Sequence, residues 1–175
     1  NPPYLPQDKL RGGGVIKDEA IYGGRKGWKI IERFLAGVAG HLFSNGEVLL
    51  LISSFTNPEK VKELIRGHLL QFEVIEREKV SFEELIVYKI TKTPLLLELE
   101  RKGVEEVRYF THGKRGDIFV GEYDIHVHNK KFLSLKKERK KVAVKVKREG
   151  SYALGSVENE AKWLPVLNRE GIGPI

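Results

Sequence analysis

Across residues 25–43 the apolar side chains Trp28, Ile31, Phe34, Leu35, Val38 and Leu42 follow the three-and-four spacing of one buried helix face. That period predicts an amphipathic helix over 25–43, stopped by the turn pair Asn45-Gly46. Residues 47–53 follow as a short apolar run between turn signals. This predicts a strand covered on both faces, as strands of parallel sheets are. Asn57-Pro58 then opens a second helix, expected to reach about Leu70, because Asn57 caps free backbone N–H groups and Pro58 stands where its missing N–H costs nothing. Residues 72–77 and 82–90 are rich in Val, Ile, Phe and Tyr and predict two antiparallel strands joined by a short polar link. With residues 1–24 read as a Gly- and Pro-rich loop, the order is loop, helix, strand, helix, strand, strand. That is half of an α/β domain.

A second module is expected after Thr91-Lys92-Thr93-Pro94, where Thr93 caps and Pro94 begins a helix over 95–101. Residues 107–110 and 117–123 predict strands on either side of a Gly113-Lys114-Arg115-Gly116 turn, and 142–147 alternates as a third. Ser156 is placed to cap a last helix running to about Asn168, which Pro165 kinks or ends early. The sequence therefore divides into 1–92 and 93–175, the second part carrying a basic insertion over 124–140.

Composition narrows the class. The 175 residues are 41% hydrophobic and 31% charged, which excludes collagenous, disordered and disulfide-rich chains. The longest apolar runs, such as 48–52, fall far short of the roughly 20 residues that span a bilayer. The N-terminal residues carry no signal-peptide pattern, and the absence of Cys removes disulfides and thiolate metal sites, so the cytoplasm is the expected compartment. Absence of Met as well as Cys, in a chain rich in Lys, Arg and Glu, fits a heat-adapted protein.

Charge is concentrated in one place. The formal net charge is +7, yet the run 130–148, which begins at Lys130 and closes at Arg148, holds ten basic residues against the single acid Glu138. Such a run is either a solvated face or a polyanion site, so a non-catalytic module binding RNA or the ribosome is one functional alternative. His126 and His128 share a face if 124–128 is a strand. With no third ligand in view, no metal site is expected.

Two constellations carry chemistry. In Asn1-Pro2-Pro3-Tyr4, the prolines fix φ at successive steps and hold the Asn side chain and carbonyl at a set angle, while Tyr4 offers a flat face. Oxygen acceptors beside an aromatic ring suit a planar group bearing –NH2. The motif resembles the catalytic Asn-Pro-Pro-Tyr of class I S-adenosylmethionine-dependent methyltransferases that act on amide or exocyclic amine nitrogens. Tyr22-Gly23-Gly24, Glu32-Arg33-Phe34-Leu35, Asn45-Gly46, Asn57-Pro58-Glu59-Lys60 and Phe82-Glu83-Glu84-Leu85 extend the resemblance to the archaeal branch of the HemK family over residues 1–92. That family methylates the glutamine of peptide chain release factors, and some relatives have been called adenine methylases. The resemblance implies a partial Rossmann-like sheet, S-adenosylmethionine as methyl donor and a release factor or other translation protein as acceptor. It assigns Asn1 to grip the amine, Pro2 and Pro3 to fix it, and Tyr4 to stack. The family's Gly-rich cofactor loop and ribose-binding acid stand upstream of the motif, and Gly12-Gly13-Gly14 has no strand before it to replace them. By itself the chain is therefore not expected to bind the donor in the family's way.

The second constellation begins at Thr111-His112-Gly113-Lys114-Arg115-Gly116, which resembles the Gly-rich loop of protein kinases. Val142-Ala143-Val144-Lys145 matches the strand bearing the phosphate-binding Lys, and Glu160 stands where a helix would hold its partner carboxylate. Together with Asn159-Glu160-Ala161-Lys162-Trp163-Leu164 and Gly171-Ile172-Gly173-Pro174, these residues resemble the N-terminal lobe of archaeal serine/threonine kinases related to the RIO group. The resemblance implies an α+β module with Gly113, Gly116, Lys145 and Glu160 as ligands of Mg-ATP. No catalytic-loop Asp and Asn or metal-binding Asp-Phe-Gly follows, so phosphoryl transfer is not expected from this module alone. The whole reads as part of a methyltransferase joined to part of a kinase, as in a truncated or misjoined gene product. Its open sheet edge invites pairing with another chain, so that either a partner completes the sheet or the chain tends to aggregate. Trp28 and Trp163 are read as core.

Overall fold

The computed structural model describes residues 2–6, 21–113, 116–129, 134–147 and 161–162, and the chain divides into two compact units, Asn1–Glu105 and Glu106–Ile175. In the first unit α1 spans Lys29–Val38, four residues later at its start than the spacing predicts. The reason is backbone: Gly24 and Gly27 take φ of +86° and +80°, a turn that a right-handed helix does not continue through. Ile31, Leu35 and Val38 form the buried face of α1, whereas Phe34 remains 40% exposed. Trp28 is also not core. It sits half-buried at the N-cap of α1, with the Nζ atoms of Lys26 and Lys60 5.7 and 5.6 Å from its ring centroid.

Strands β1 (Val48–Ser53), β2 (Leu70–Val80) and β3 (Glu83–Lys92) form one sheet in the order β1-β3-β2. β3 is antiparallel to both neighbours, with Tyr88 opposite Leu50 on one side and Val74 on the other, so β1 and β2 run in the same direction with β3 inserted between them. α2 (Pro58–Gly67) makes the crossover from β1 to β2, and the tight return of β2 into β3 fills the gap the crossover leaves. Two antiparallel strands at the end of the half-domain were legible in the sequence. Complete coverage of β1 was not realised, since Leu49 is 65% exposed while Leu50 and Ile52 are buried.

The core lies between this sheet and the helices. Ile31 and Leu35 from α1, Val61 and Ile65 from α2, Leu50 and Ile52 from β1, and Ile86, Tyr88 and Ile90 from β3 are all 2% exposed or less. β3 alternates strictly toward its C-terminal end, as a strand with one face in a core does. Phe72 meets the Tyr88 ring edge-on at 5.1 Å. The Tyr88 hydroxyl has no hydrogen-bond partner among the described residues, and burial pushes its pKa up.

Both later helices keep the caps read from sequence. Asn57 accepts from Lys60 N at the head of α2, and Thr93 accepts from Leu96 N at the head of α3 (Pro94–Arg101). α3 belongs to the first unit. Thr93 holds it there by bonding the Leu69 carbonyl through both its hydroxyl and its backbone N–H, and Leu96 and Leu99 are buried.

His68 caps the C-terminus of α2, where burial lowers its pKa against an opposing pull from Glu32. A depressed imidazole pKa means that the unfolded chain binds the proton more readily than the folded one. The stability tied to neutral His68 is therefore present above the ordinary imidazole pKa of about 6.5 and is lost as the pH falls below it. Urea unfolding at pH 7.5 and 5.5 is expected to show a loss toward the acid side that His68→Asn reduces; an unchanged difference would remove His68 as its source.

The second unit holds β5 (Gly116–Asn129), β6 (Ser134–Val146) and most of β4 (Val104–Gly113), in sheet order β4-β5-β6. β5 and β6 pair without interruption from Asp117↔Val146 to Asn129↔Ser134. Residues 124–129 and 134–140, expected as a basic insertion, thus extend the two strands of one long hairpin. One of its bases is partly neutralised across the strands, the Arg139 guanidinium lying 3.4, 3.5 and 3.7 Å from carboxylate oxygens of Glu106, Glu122 and Asp124. Tyr109 and Phe119 pack edge to face at 5.8 Å. The chain is thus mixed α/β with two three-stranded antiparallel sheets, and no described helix is long and apolar enough to cross a membrane. Of the expected last helix, Ala161 and Lys162 are helical, and Trp163 lies outside the described residues.

Candidate functional site

The segment Pro2–Pro6 contains three prolines, so only Tyr4 and Leu5 have backbone N–H groups to donate. Leu5 uses both its backbone groups, donating to Ile21 O at 3.2 Å and accepting from Gly23 N at 3.0 Å, which forms a parallel bridge with Tyr22. The loop before α1 closes over the segment through its glycines. A Cβ on Gly23 would fall 2.5 Å from Pro3 O and nearer still to Gly27 O, and one on Gly27 would fall 2.7 Å from Tyr4 O. Gly23 of the Tyr22-Gly23-Gly24 resemblance therefore has a physical purpose: a side chain there would push the proline segment out of its seat.

A third contact comes from the carboxyl end of β1. The chain leaves β1 in a 3-10 turn, Ser54–Thr56, and the fully buried Thr56 donates from Oγ1 to Tyr4 O at 2.9 Å. Thr56 Oγ1 also accepts from Ser53 N at 3.2 Å, while Ser53 Oγ accepts from Phe55 N at 3.1 Å. Ser53, equally buried, donates to the Glu83 carboxylate, and Glu84 N donates to Ser54 Oγ at 3.1 Å. Arg77 holds Glu84 at 2.7 Å. The start of β3, the turn after β1 and the Pro2–Pro6 segment are thereby joined in one hydrogen-bonded unit. Ligands of open α/β sheets bind outside the carboxyl ends of strands, and Tyr4 is held at that end of β1.

Of the residues singled out for this motif, Pro2, Pro3 and Tyr4 are brought there half-buried, and Asn1 lies outside the described residues. Ser53, Thr56, Gly27 and the support role of Glu83 did not emerge from the sequence, although Ser-x-x-Thr before Asn57-Pro58 carries the signature of a capped turn.

Of the ATP ligands read from sequence, Gly113 and Gly116 flank the β4–β5 turn, and Lys145 stands exposed on β6 opposite Ile118. Gly116 is buried against Val146 O. Glu160 and the turn residues Lys114 and Arg115 lie outside the described residues, and with Glu160 the Lys145–Glu160 pair read from sequence. His126 and His128 both fall in β5 at alternate positions. Among the described residues no cluster of three or more His, Asp or Glu is arranged to hold a metal ion.

No family model matches the sequence. A chain of Methanocaldococcus jannaschii named as a protein N5-glutamine methyltransferase is 33% identical over 87 residues, which are 50% of this chain and 44% of that one. The chain thus spans less than half the length of this curated relative. A solved structure of the E. cuniculi Mtq2–Trm112 complex, described as responsible for methylation of the translation termination factor eRF1, aligns at a TM-score of 0.41 and 24% identity, covering 53% of this chain and 49% of that one. These partial similarities concern methyltransferases; nothing in them extends to a kinase lobe.

Proposed function

We propose that the first unit is the acceptor-binding part of an S-adenosylmethionine-dependent methyltransferase acting on the side-chain amide of a protein glutamine, with a release factor as the substrate. The seating of Pro2, Pro3 and Tyr4 at the carboxyl end of β1 carries this reading, and the 33% identity to a protein N5-glutamine methyltransferase supports it. In this role Asn1 accepts from the amide –NH2, the two prolines fix the angle of that grip, and Tyr4 supplies a flat face for the amide plane. A held amide keeps its nitrogen facing the methyl donor, which is where such a site gains its rate.

The donor itself needs a Gly-rich turn after a strand and an acid for the ribose, and the described residues frame neither. The glycines that the structure does describe beside the motif, Gly23 and Gly27, are already covered by the backbone of Pro3 and Tyr4. The reading therefore concerns the acceptor side of the reaction.

ATP binding through Gly113, Gly116, Lys145 and Glu160, and polyanion binding through the run 130–148, are competing readings of the second unit. Calorimetric titration separates them from the first. A glutamine peptide is expected to give heat, and Mg-ATP and S-adenosylmethionine alone are expected to give none. Heat with Mg-ATP that Lys145→Ala abolishes would favour the kinase reading instead.

A further inference from the structure

Nothing in the residue types of Asn1 to Tyr4 fixes where the motif points, because a proline-rich segment is stiff within itself and free at its ends. The described structure fixes it at Leu5, through the bridge to Tyr22, and at Tyr4 O, through Thr56. Leu5 sets the strand-like path of the segment. The Tyr4 carbonyl sets the tilt of the rigid Tyr4–Leu5 peptide plane, and so narrows the angles at which the residues before it leave that plane. Pro2 and Pro3, with φ fixed by their rings, leave few further freedoms between that plane and the start of the motif.

We propose that Thr56 is a positioning residue of the amide site, its hydroxyl setting the rotation at which the Asn1-Pro2-Pro3-Tyr4 motif meets the acceptor. The proposal rests on the acceptor-amide reading above and deepens it. Among the described residues the Thr56 side chain donates to the motif, and it is fully buried, so water does not compete for its proton. Its hydroxyl also has a fixed sense. The Ser53 N–H points at Oγ1 as a donor, which leaves the hydroxyl proton for Tyr4 O.

The support beneath Thr56 is equally determined. A reciprocal capping arrangement between Ser53 and Thr56 closes the 3-10 turn, and Asn57, at φ 64°, starts α2 immediately afterwards. Ser53 in turn is tied to Glu83 at the start of β3. Thr56 therefore stands on the sheet and not on a loose loop, the kind of backing that holds a functional group to a fraction of an ångström. Its methyl group adds bulk but no directionality, so the hydroxyl and the methyl make separable predictions.

The test uses the chain labelled with 13C at the Tyr4 carbonyl, in four forms: parent, Thr56→Val, Thr56→Ser and Thr56→Ala. Two quantities are read, the Tyr4 carbonyl resonance and the affinity for a glutamine peptide. Thr56→Val is expected to move the resonance and to weaken binding about tenfold, the effect of one lost directed hydrogen bond. Thr56→Ser is expected to keep both near parent values. Thr56→Ala takes the place of Thr56→Val if that variant does not fold, with the amide resonances of Ile65 and Tyr88 as the check on the core. An unmoved carbonyl resonance in the variant lacking the hydroxyl overturns the proposal. So does a Thr56→Ser variant that behaves like Thr56→Val, since that would assign the effect to methyl packing. If the parent chain binds no glutamine peptide, the proposed function falls, while the carbonyl resonance still decides whether Thr56 holds the motif.

Discussion

Gly23→Ala is expected to destabilise the first unit by about 3 kcal/mol, the upper range for forcing one carbon into a filled space, and to abolish binding of a glutamine peptide. The added Cβ would stand 2.5 Å from Pro3 O and closer to Gly27 O, and both obstacles are backbone atoms that no rotamer change removes. Neither strand of chain is free to retreat. Gly23 donates to Leu5 O at 3.0 Å and accepts from Lys29 N at 3.0 Å, so moving it breaks the bridge to the motif on one side and the start of α1 on the other. Gly37→Ala is the matched control. A Cβ there meets nothing within 4 Å, and within a helix the exchange is expected to stabilise by up to about 1 kcal/mol. Urea titration of the two variants checks both signs, and a Gly23→Ala variant as stable as the parent would mean that the loop does not clasp Pro3.

The next largest effect is expected where β3 ends. Lys92 is an inward-facing Lys with 5% of its side chain exposed, and its Nζ lies 2.7 Å from both carboxylate oxygens of Glu100 on α3. The two partners are unequal, since 31% of the Glu100 side chain is exposed. Removing the acid strands a buried ammonium, whereas removing the base leaves a carboxylate that water reaches. Glu100→Ala is accordingly expected to cost about 3 kcal/mol, at the low end for breaking a buried pair. Lys92→Met, which keeps the apolar stem without the charge, is expected to cost less than about 1 kcal/mol. Thermal unfolding of the two single variants reads the asymmetry; equal losses would show that Lys92 is solvated in the folded chain. The same pair explains why α3 stays with the first unit, where the Thr93-Pro94 cap read alone suggested the opening of a new module.

Local chemistry was the part of the fold that the residues announced. Asn57-Pro58 and Thr93-Pro94 started helices where their side chains could cap them, and the Val, Ile, Phe and Tyr content of 82–90 marked the strand whose Ile86, Tyr88 and Ile90 the structure turns into the core. What escaped depended on contacts distant in sequence. The period that begins at Trp28 continues smoothly into α1, yet the turn with positive φ at Gly24 and Gly27 belongs to a loop whose Gly23 and Gly27 close on Pro3 and Tyr4, twenty or more residues earlier. The long β5–β6 hairpin escaped for a different reason. Runs of Lys disguise a strand, because alternation is legible only where one face is apolar, as at Val142, Val144 and Val146. In the site, Asn1 to Tyr4 stood out through unusual residue types, while Thr56 and Ser53 are ordinary hydroxyl residues whose role exists only once β1 and the motif are brought together.

The claim that this unit holds a glutamine amide is tested most directly by a 15N-edited NMR titration. Two peptides identical but for a single Gln or Glu are added in turn to the parent chain and to Asn1→Ala. The account predicts that the Gln peptide alone shifts the resonances of Tyr4, Leu5, Gly23 and Thr56, and that Asn1→Ala removes those shifts. Equal shifts with the Glu peptide, or shifts unaffected by Asn1→Ala, would contradict it.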